Sequence, residues 1–375
     1  MRVLHVTPCY PPTWAYGGIP RVVHALARAQ RSQGIGVRVW TTDAFDADSR
    51  ASVPSRREES GIDVRVTRLA SNRLAWRHQL YVPTALPPLD DVDVVHLHSH
   101  RHLLNWLAFH AARSRGIPVV LTPNGTAPRL ERKVFVKRAW DTLFDGDVPT
   151  RADHVIAVSK AEVRQLLALG VSADRIERIP NPIHLEEFAE LPARGSFRAA
   201  QGLGAGPIVA YLGQITPRKG VERLVAAFGE GLAGATLVVA GAARGMALPE
   251  SPHVRYTGTL EGPDRLALLV DADVLVYPST DEIFGLVPLE GLLCGAPVIV
   301  GGDCGCGELI GEAGAGLLTR VGDAAELRAH IHTLLADRER ASAMVERGRR
   351  YVTAHLDPAR VAGAHIELYQ RMLRA

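Results

Sequence analysis

Ser279-Thr-Asp-Glu-Ile-Phe-Gly-Leu-Val-Pro-Leu-Glu290 follows a short apolar run, Val274–Tyr277, and leads into an apolar stretch closed by Cys294-Gly295. A strand that turns straight into a helix is the building unit of a doubly wound sheet. Glu282 falls in the turn, and Glu290 lies eight residues on, about two helical turns inside. Pro288 fits only in the first turn of that helix, where its missing N–H costs little. The free N–H groups near Phe284, Gly285 and Leu286 then form a partial positive site suited to an anion. Gly285 allows close backbone approach. Glu290 points back toward the same region and can accept hydrogen bonds from two vicinal hydroxyls. The same residues also fit a capped helix whose two glutamates are solvated.

Working outward, short apolar runs alternate with amphipathic stretches. In the first half the pattern predicts strands at 2–7, 37–42, 62–67, 93–98, 119–122 and 154–159. It predicts helices at 19–33, 102–115, 130–144 and 161–169. Pro182, Pro192, Gly195, Gly202, Gly204, Gly206 and Pro207 break the pattern, and 181–206 reads as a linker. Alternation restarts with strands at 208–212, 236–240, 254–256, 274–277 and 298–300. Helices are expected at 221–228, 265–272 and 284–294, and then almost throughout 324–375 with a break at Asp357-Pro358. The fold class is therefore α/β, with two doubly wound halves whose ligand sits at strand C-termini facing a central cleft. The expected division is 1–183, 184–356 and a final helix, 357–375, crossing back to the first domain.

Two further segments carry chemistry. In Tyr211-Leu-Gly-Gln-Ile-Thr-Pro-Arg-Lys-Gly220, Arg218 and Lys219 sit at a helix start. Cations there oppose the helix dipole unless an anion is present. Only four of the 43 basic residues are lysine, so at Lys219 a compact, freely rotating charge stands where arginine is the default. An exposed basic turn accounts for the same pair. In Pro11-Pro-Thr-Trp-Ala-Tyr-Gly-Gly18 the glycine pair lets a ligand approach the backbone, and a plain loop turn fits equally.

Together the three segments resemble the large retaining glycosyltransferase family 4, which has the GT-B fold of two Rossmann-like domains. Glu282 and Glu290 match its Glu-x7-Glu signature, in register with Phe284-Gly285 and Gly295-x-Pro297-Val298. Gly213…Lys219-Gly220 matches the diphosphate-binding turn and Gly17-Gly18 the N-terminal glycine loop. Ala157-Val-Ser-Lys-Ala-Glu162 and Ile179-Pro-Asn181 are also family-like. The resemblance implies a retaining, metal-independent hexosyltransferase acting on a nucleotide diphosphate sugar and a saccharide, lipid-linked or small-molecule acceptor. Lys219 and Arg218 would neutralise the diphosphate, Glu282 would contact the donor sugar, and Glu290 would hold the ribose. The backbone at Phe284–Leu286 would bind diphosphate or sugar, and the base would sit near Tyr256 and Gly258. Gln214 stands where the family usually has arginine, and Asn124 where it often has histidine. Asn124, His98 and His100 are the candidates on the acceptor side. Rival readings are a degenerate scaffold or partner subunit, and a sugar-nucleotide epimerase of the same fold.

The rest of the chain narrows the classes. With 375 residues, 47% hydrophobic and 22% charged, it is an ordinary globular chain. A net charge of +3 gives no case for nucleic acid. Four cysteines make no disulfide framework and point to a reducing cytoplasm. The N-terminal apolar run is broken by Pro8 and reads as no signal peptide. The basic, amphipathic stretch 129–140 offers either peripheral contact with the inner face of a membrane or a solvated helix face. His96-Leu-His-Ser-His-Arg-His102 would place four rings on one face if the strand continued, but a helix starting near His102 breaks that face, and no metal is assigned. Gly202-Leu-Gly-Ala-Gly206 precedes a strand instead of following one, which excludes a dinucleotide fingerprint.

Overall fold

The computed structural model describes residues 1–13, 18–45, 49–78, 80–128, 140–142, 144, 147–229, 231–243, 250–320 and 322–374, with the side chains of 76 and 77 set aside. The chain forms two compact units, Met1–His184 with Leu356–Ala375, and Leu185–His355.

The first unit contains strands β1 (Arg2–Val6), β2 (Gly36–Thr42), β3 (Arg56–Glu59), β4 (Ile62–Thr67), β5 (Val94–His98), β6 (Val119–Thr122), β7 (His154–Ala157) and β8 (Ile176–Arg178). Its helices are α1 (Gly18–Ser32), α2 (Asn72–His78), α3 (Leu103–Ser114), α4 (Val148–Arg151) and α5 (Lys160–Ala168). The sheet order is β3-β4-β2-β1-β5-β6-β7-β8. Every pairing is parallel except β3–β4. The central strands are buried along their length because helices cover both faces of a parallel sheet. The pattern passes over β3, which contains no apolar residue. Two positive-φ residues, Ser60 and Gly61, make its hairpin turn, and Asp63 on β4 binds Arg56 across the pair.

The second unit contains β9 (Ile208–Leu212), β10 (Thr236–Ala240), β11 (Val254–Gly258), β12 (Val274–Tyr277), β13 (Val298–Gly301) and β14 (Gly316–Thr319). Its helices are α6 (Ser196–Ala200), α7 (Val221–Phe228), α8 (Gly262–Asp271), α9 (Leu286–Cys294), α10 (Gly305–Ala313), α11 (Ala324–Ala336) and α12 (Arg338–His355). The order β11-β10-β9-β12-β13-β14 is parallel throughout. The stretch read as a linker is mostly structured. A 3-10 turn, Leu185–Phe188, opens the unit, and the Asp271 carboxylate accepts from the N–H groups of Gly195 (2.5 Å) and Arg198 (2.9 Å) to seat α6. A tertiary cap of that kind leaves no periodic trace in the sequence.

The last helix, α13 (Pro358–Met372), belongs to the first unit. Asp357 caps it through the N–H groups of Ala359 and Arg360. Val361, Ile366, Leu368 and Tyr369 join the core beneath α1. Its polar face meets a line of buried rings. His5 Nε2 donates to Gln30 Oε1 (2.7 Å), so His5 Nδ1 is left to accept from His98 Nε2 (2.9 Å). Gln30 Nε2 donates to Tyr369 Oη (3.3 Å), which donates to His96 Nδ1 (2.7 Å), whose Nε2–H reaches Thr122 Oγ1 (2.7 Å). The rings of His5, His96 and His98 thus converge at one spot, their nitrogens within 4.8 Å, and among the described residues only His98 Nδ1 of these is left without a partner.

Burial keeps these rings neutral, and at His96 and His98 the neighbouring rings add to it. His5 and His365 are lowered to about 4, and His96 and His98 fall well below the usual range. Unfolding returns each ring to about 6.5, so between those values the unfolded chain binds more protons and stability falls as pH falls. For His5 and His365 that shift corresponds to on the order of 3 kcal/mol each, and His96 and His98 act in the same direction. Glu162, raised by burial to about 7, acts in the opposite sense, one group against four. Melting temperature of the protein should therefore drop steeply from pH 6.5 to 4.5. Amide exchange should show α13 losing protection first, and a flat profile across that range would contradict the assignment.

Candidate functional site

Strand order in the second unit runs one way from β9 to β11 and the other way from β12 to β14. The loops leaving β9 and β12 therefore part to opposite sides of a switch point, where ligands of doubly wound sheets bind. The two loops are also stitched together. Thr280 N–H donates to Arg218 C=O (2.8 Å) and Arg223 Nη2 to Pro278 C=O (3.2 Å). Gly220, at φ +70°, lies so close that a Cβ there would stand 2.5 Å from the Pro278 oxygen.

The loop after β9 closes in a 3-10 turn, Pro217–Lys219. Arg218 is exposed on it, and Lys219 turns inward. Lys219 Nζ donates to Tyr277 Oη (2.5 Å) and to Glu282 Oε2, and lies 4.8 Å from the centre of the Tyr277 ring. Tyr277 Oη donates to the same carboxylate oxygen at 3.0 Å, and Ser279 Oγ approaches it at 3.4 Å. Burial works against ionisation of Glu282, but Lys219, Tyr277 and Arg218 together outweigh it and hold the carboxyl below its usual pKa. Burial, reinforced by the Glu282 charge, pushes the Tyr277 hydroxyl well above its usual range, so it stays a donor. Two predicted catalytic residues thus form one partly buried ion pair.

The loop after β12 shows why Gly285 is glycine. It is the N-cap of α9 at φ +73°, and a Cβ there would lie 2.5 Å from Cys306 Sγ and 2.8 Å from Cys306 Cβ. Phe284 is buried, so only its backbone faces outward. The helix begins at Leu286, two residues later than the periodicity predicts, because Gly285 takes the left-handed conformation. Glu290 is accordingly one turn inside α9, not two. Pro288 occupies the first turn as its chemistry requires, leaving Leu286 and Val287 N–H at the positive end.

Gly213, Gln214, Tyr256 and Gly258 lie at the same ends of the sheet. Gly258 C=O accepts from Gly241 N–H at 2.7 Å, and a Cβ on Gly241 would lie 1.8 Å from Gly213 C=O. Three glycines thus line the C-terminal ends of β9, β10 and β11. Gly241 was missed by the sequence reading, although a glycine directly after the strand Thr236–Ala240 repeats the Leu212-Gly213 pattern. Also missed was Arg265, buried on α8. Its Nη1 donates to Glu290 Oε2 and its Nη2 to Glu187 Oε2 at 2.8 Å. An arginine ahead of the apolar run Leu266–Val270 gives no signal in one sequence.

In the first unit the acceptor-side candidates separate. His98 and His100 are 1% and 5% exposed. Strand β5 ends at His98, and Ser99 and Arg101 turn with φ of 71° and 62°, which prevents four histidines from sharing a face. His98 serves the interior chain of rings, a correction to its expected acceptor role. Asn124 does stand at a strand end, at φ +51°, its Oδ1 accepting from Asn181 Nδ2 at 2.9 Å. Glu162 supports that loop. Its carboxylate accepts from Gly125 N–H (2.6 Å) and Val158 N–H (2.9 Å). Gly18 is the first residue of α1, whereas Gly17 and, apart from Trp140, the stretch 129–140 lie outside the described residues. No helix among the described residues is long and apolar enough to cross a membrane.

Comparison with known proteins agrees with this geometry. Residues 17–182 match the family described as Glycosyl transferase 4-like domain, and residues 194–351 that described as Glycosyl transferases group 1. A D-inositol 3-phosphate glycosyltransferase of Kineococcus radiotolerans is 30% identical over 74% of this chain and 72% of its own. A GDP-mannose-dependent alpha-mannosyltransferase of Mycobacterium tuberculosis is 29% identical over 62% of this chain and 61% of its own. Among solved structures, Anabaena HepE in complex with UDP-glucose superposes with a TM-score of 0.77 at 19% identity, over 99% of this chain and all of that one. Sucrose-phosphate synthase from Thermosynechococcus elongatus gives 0.75 at 22% identity, over 100% and 99%. At those identities the likeness is one of fold, and the fold is GT-B.

Gly285→Ala should destabilise the second unit by about 2 kcal/mol or more, through left-handed strain and the clash with Cys306. That corresponds to a fall of roughly 4–8 °C in melting temperature. Adding Cys306→Ala should recover part of the loss, since it removes the nearer atom. Strictly additive losses in thermal melts would show that the two side chains do not compete for this space.

Proposed function

The chain belongs to the group 1 glycosyl transferases, and from that membership we propose that it moves a hexose from a nucleotide diphosphate sugar to an acceptor hydroxyl, with retention and without a metal. The observation that carries the reading is the Lys219–Tyr277–Glu282 cluster, set beside the positive end of α9 at the switch point of the second sheet. An ammonium, an adjacent exposed guanidinium from Arg218 and a free helix N-terminus are the groups that a diphosphate needs when no metal neutralises it. Glu282 then faces the sugar and Glu290 the ribose. The GDP-mannose dependence in one relative's name supports a nucleotide sugar as the donor class and does not choose the base here.

The reaction follows from these charges. The acceptor oxygen bonds to the anomeric carbon on the face that the diphosphate leaves. The bond from that carbon to the diphosphate oxygen breaks, and the acceptor proton passes to the departing phosphate. Lys219 leaves Glu282 for the developing negative charge, which is stronger in the transition state than in the bound donor. Glu282, released from its partner, stabilises positive charge on the sugar ring. In the first unit, the Asn124 loop, braced by Glu162 and Asn181, presents polar groups suited to a sugar hydroxyl.

A thermal-shift panel of UDP, GDP, ADP and their common sugars, with magnesium and with a chelator, tests the donor reading. One base should stabilise the protein equally in both conditions. Glu282→Gln should lower kcat by about a hundredfold or more with little change in that stabilisation. The product's anomeric configuration, read by proton NMR, should match the donor's. Stabilisation only with magnesium, or an inverted product, would sink the corresponding part of the proposal.

A further inference from the structure

Arg265 is nearly as buried as the core around it, at 6% exposure, yet it is shared between two carboxylates. Nη1 goes to Glu290 Oε2, and Nη2 goes to Glu187 Oε2 in the 3-10 turn that opens the second unit. Phe188, from the same turn, presents its ring 5.9 Å from the guanidinium carbon. Arg265 Nε is buried without a hydrogen-bond partner among the described residues. Such a group is costly to keep in an apolar helix and needs a reason.

Glu290 supplies the reason. Its side chain is 9% exposed, and a carboxylate so enclosed needs a fixed partner to hold one orientation. Arg265 is that partner. It binds Oε2 and leaves Oε1, which accepts from no described donor. The carboxylate is thereby fixed in one rotamer with one acceptor oxygen presented. Glu187, partly exposed, balances the second half of the guanidinium and holds its plane. A lysine lacks the planar fork that fixes the directions of both bonds.

We propose that Arg265 is the positioning residue of the donor site, holding Glu290 oriented so that its free oxygen accepts a ribose hydroxyl of the nucleotide. This rests on the donor reading above. It gives the site a discrimination that the Glu290 side chain alone would not have.

The test compares a nucleoside diphosphate with its 2′-deoxy counterpart (UDP with dUDP, GDP with dGDP, ADP with dADP), using the base that the thermal-shift panel selects. Calorimetry on the full chain reads the affinity ratio, and far-UV dichroism and melting report folding. The wild type should prefer the ribonucleotide by at least about tenfold. Glu290→Gln sets the floor. Arg265→Met should fall to that floor, and Arg265→Lys should lie between. With the intact donor, Arg265→Lys should raise KM more than it lowers kcat. If Arg265→Met does not fold, Arg265→Lys carries the test, because it keeps the buried charge. A wild type without the preference would overturn the ribose role of Glu290 itself. A wild-type preference that a folded Arg265 variant retains in full would overturn only the role of Arg265.

Discussion

Strands β9 and β12 are neighbours in the sheet although two strands and two helices separate them in the chain. This reversal of winding is the constraint on which the site depends. It brings the ends of two remote loops to one place and lets Thr280 bond to Arg218 across them. Only then can Lys219 reach Glu282. Close packing does the remaining positioning. Glycines at 220 and 241 let backbones approach to distances that a Cβ would forbid, and Gly285 makes room for the Cys306 side chain. The charges at the site are therefore held by backbone geometry more than by their own attraction.

Buried charge in this protein is handled in two ways. In the second unit it is paired. Lys219 meets Glu282, and Arg265 divides itself between Glu290 and Glu187. A buried pair adds little net stability, because desolvation offsets most of the attraction, but it leaves ionised groups poised where an anionic ligand can exchange partners with them. Along the histidine line of the first unit charge is avoided. Four histidines stay neutral by burial and pass hydrogen bonds from Gln30 through Tyr369 to Thr122. That line ties the final helix to the first strand, so the last residues of the chain complete the core built by the first.

Three aspartates show how local chemistry starts the parallel strands. Asp93, Asp153 and Asp273 each precede a strand by one residue, and each accepts from the first or nearly first N–H of the neighbouring strand: Arg2, Val119 and Ile208 respectively. The same residue type in the same place solves the same problem, an unpaired donor at a strand start. Asp273 also gathers Arg194 and Arg338, which anchors α6 and α12 to the bottom of the second sheet.

From the sequence alone came the alternation of strands and helices, the break at Asp357-Pro358, the glycine turns and the Glu282…Glu290 spacing. These are local facts: periodicity, proline and glycine chemistry, and residue type at short separation. The charge of Lys219 and its place at a helix start were legible for the same reason. The start of α9 was misplaced by two residues, because Gly285 takes the left-handed conformation, with Cys306 packed against it. The true position of His98 was hidden, because its partners, His5 and Asn105, come from other elements. Arg265 and Gly241 carried no usable signal, since their partners lie far away in the chain. Tertiary structure alone decided which charges meet. A hydrogen bond between residues 25 or 63 positions apart depends on how the sheet is wound, and winding is a property of the whole fold.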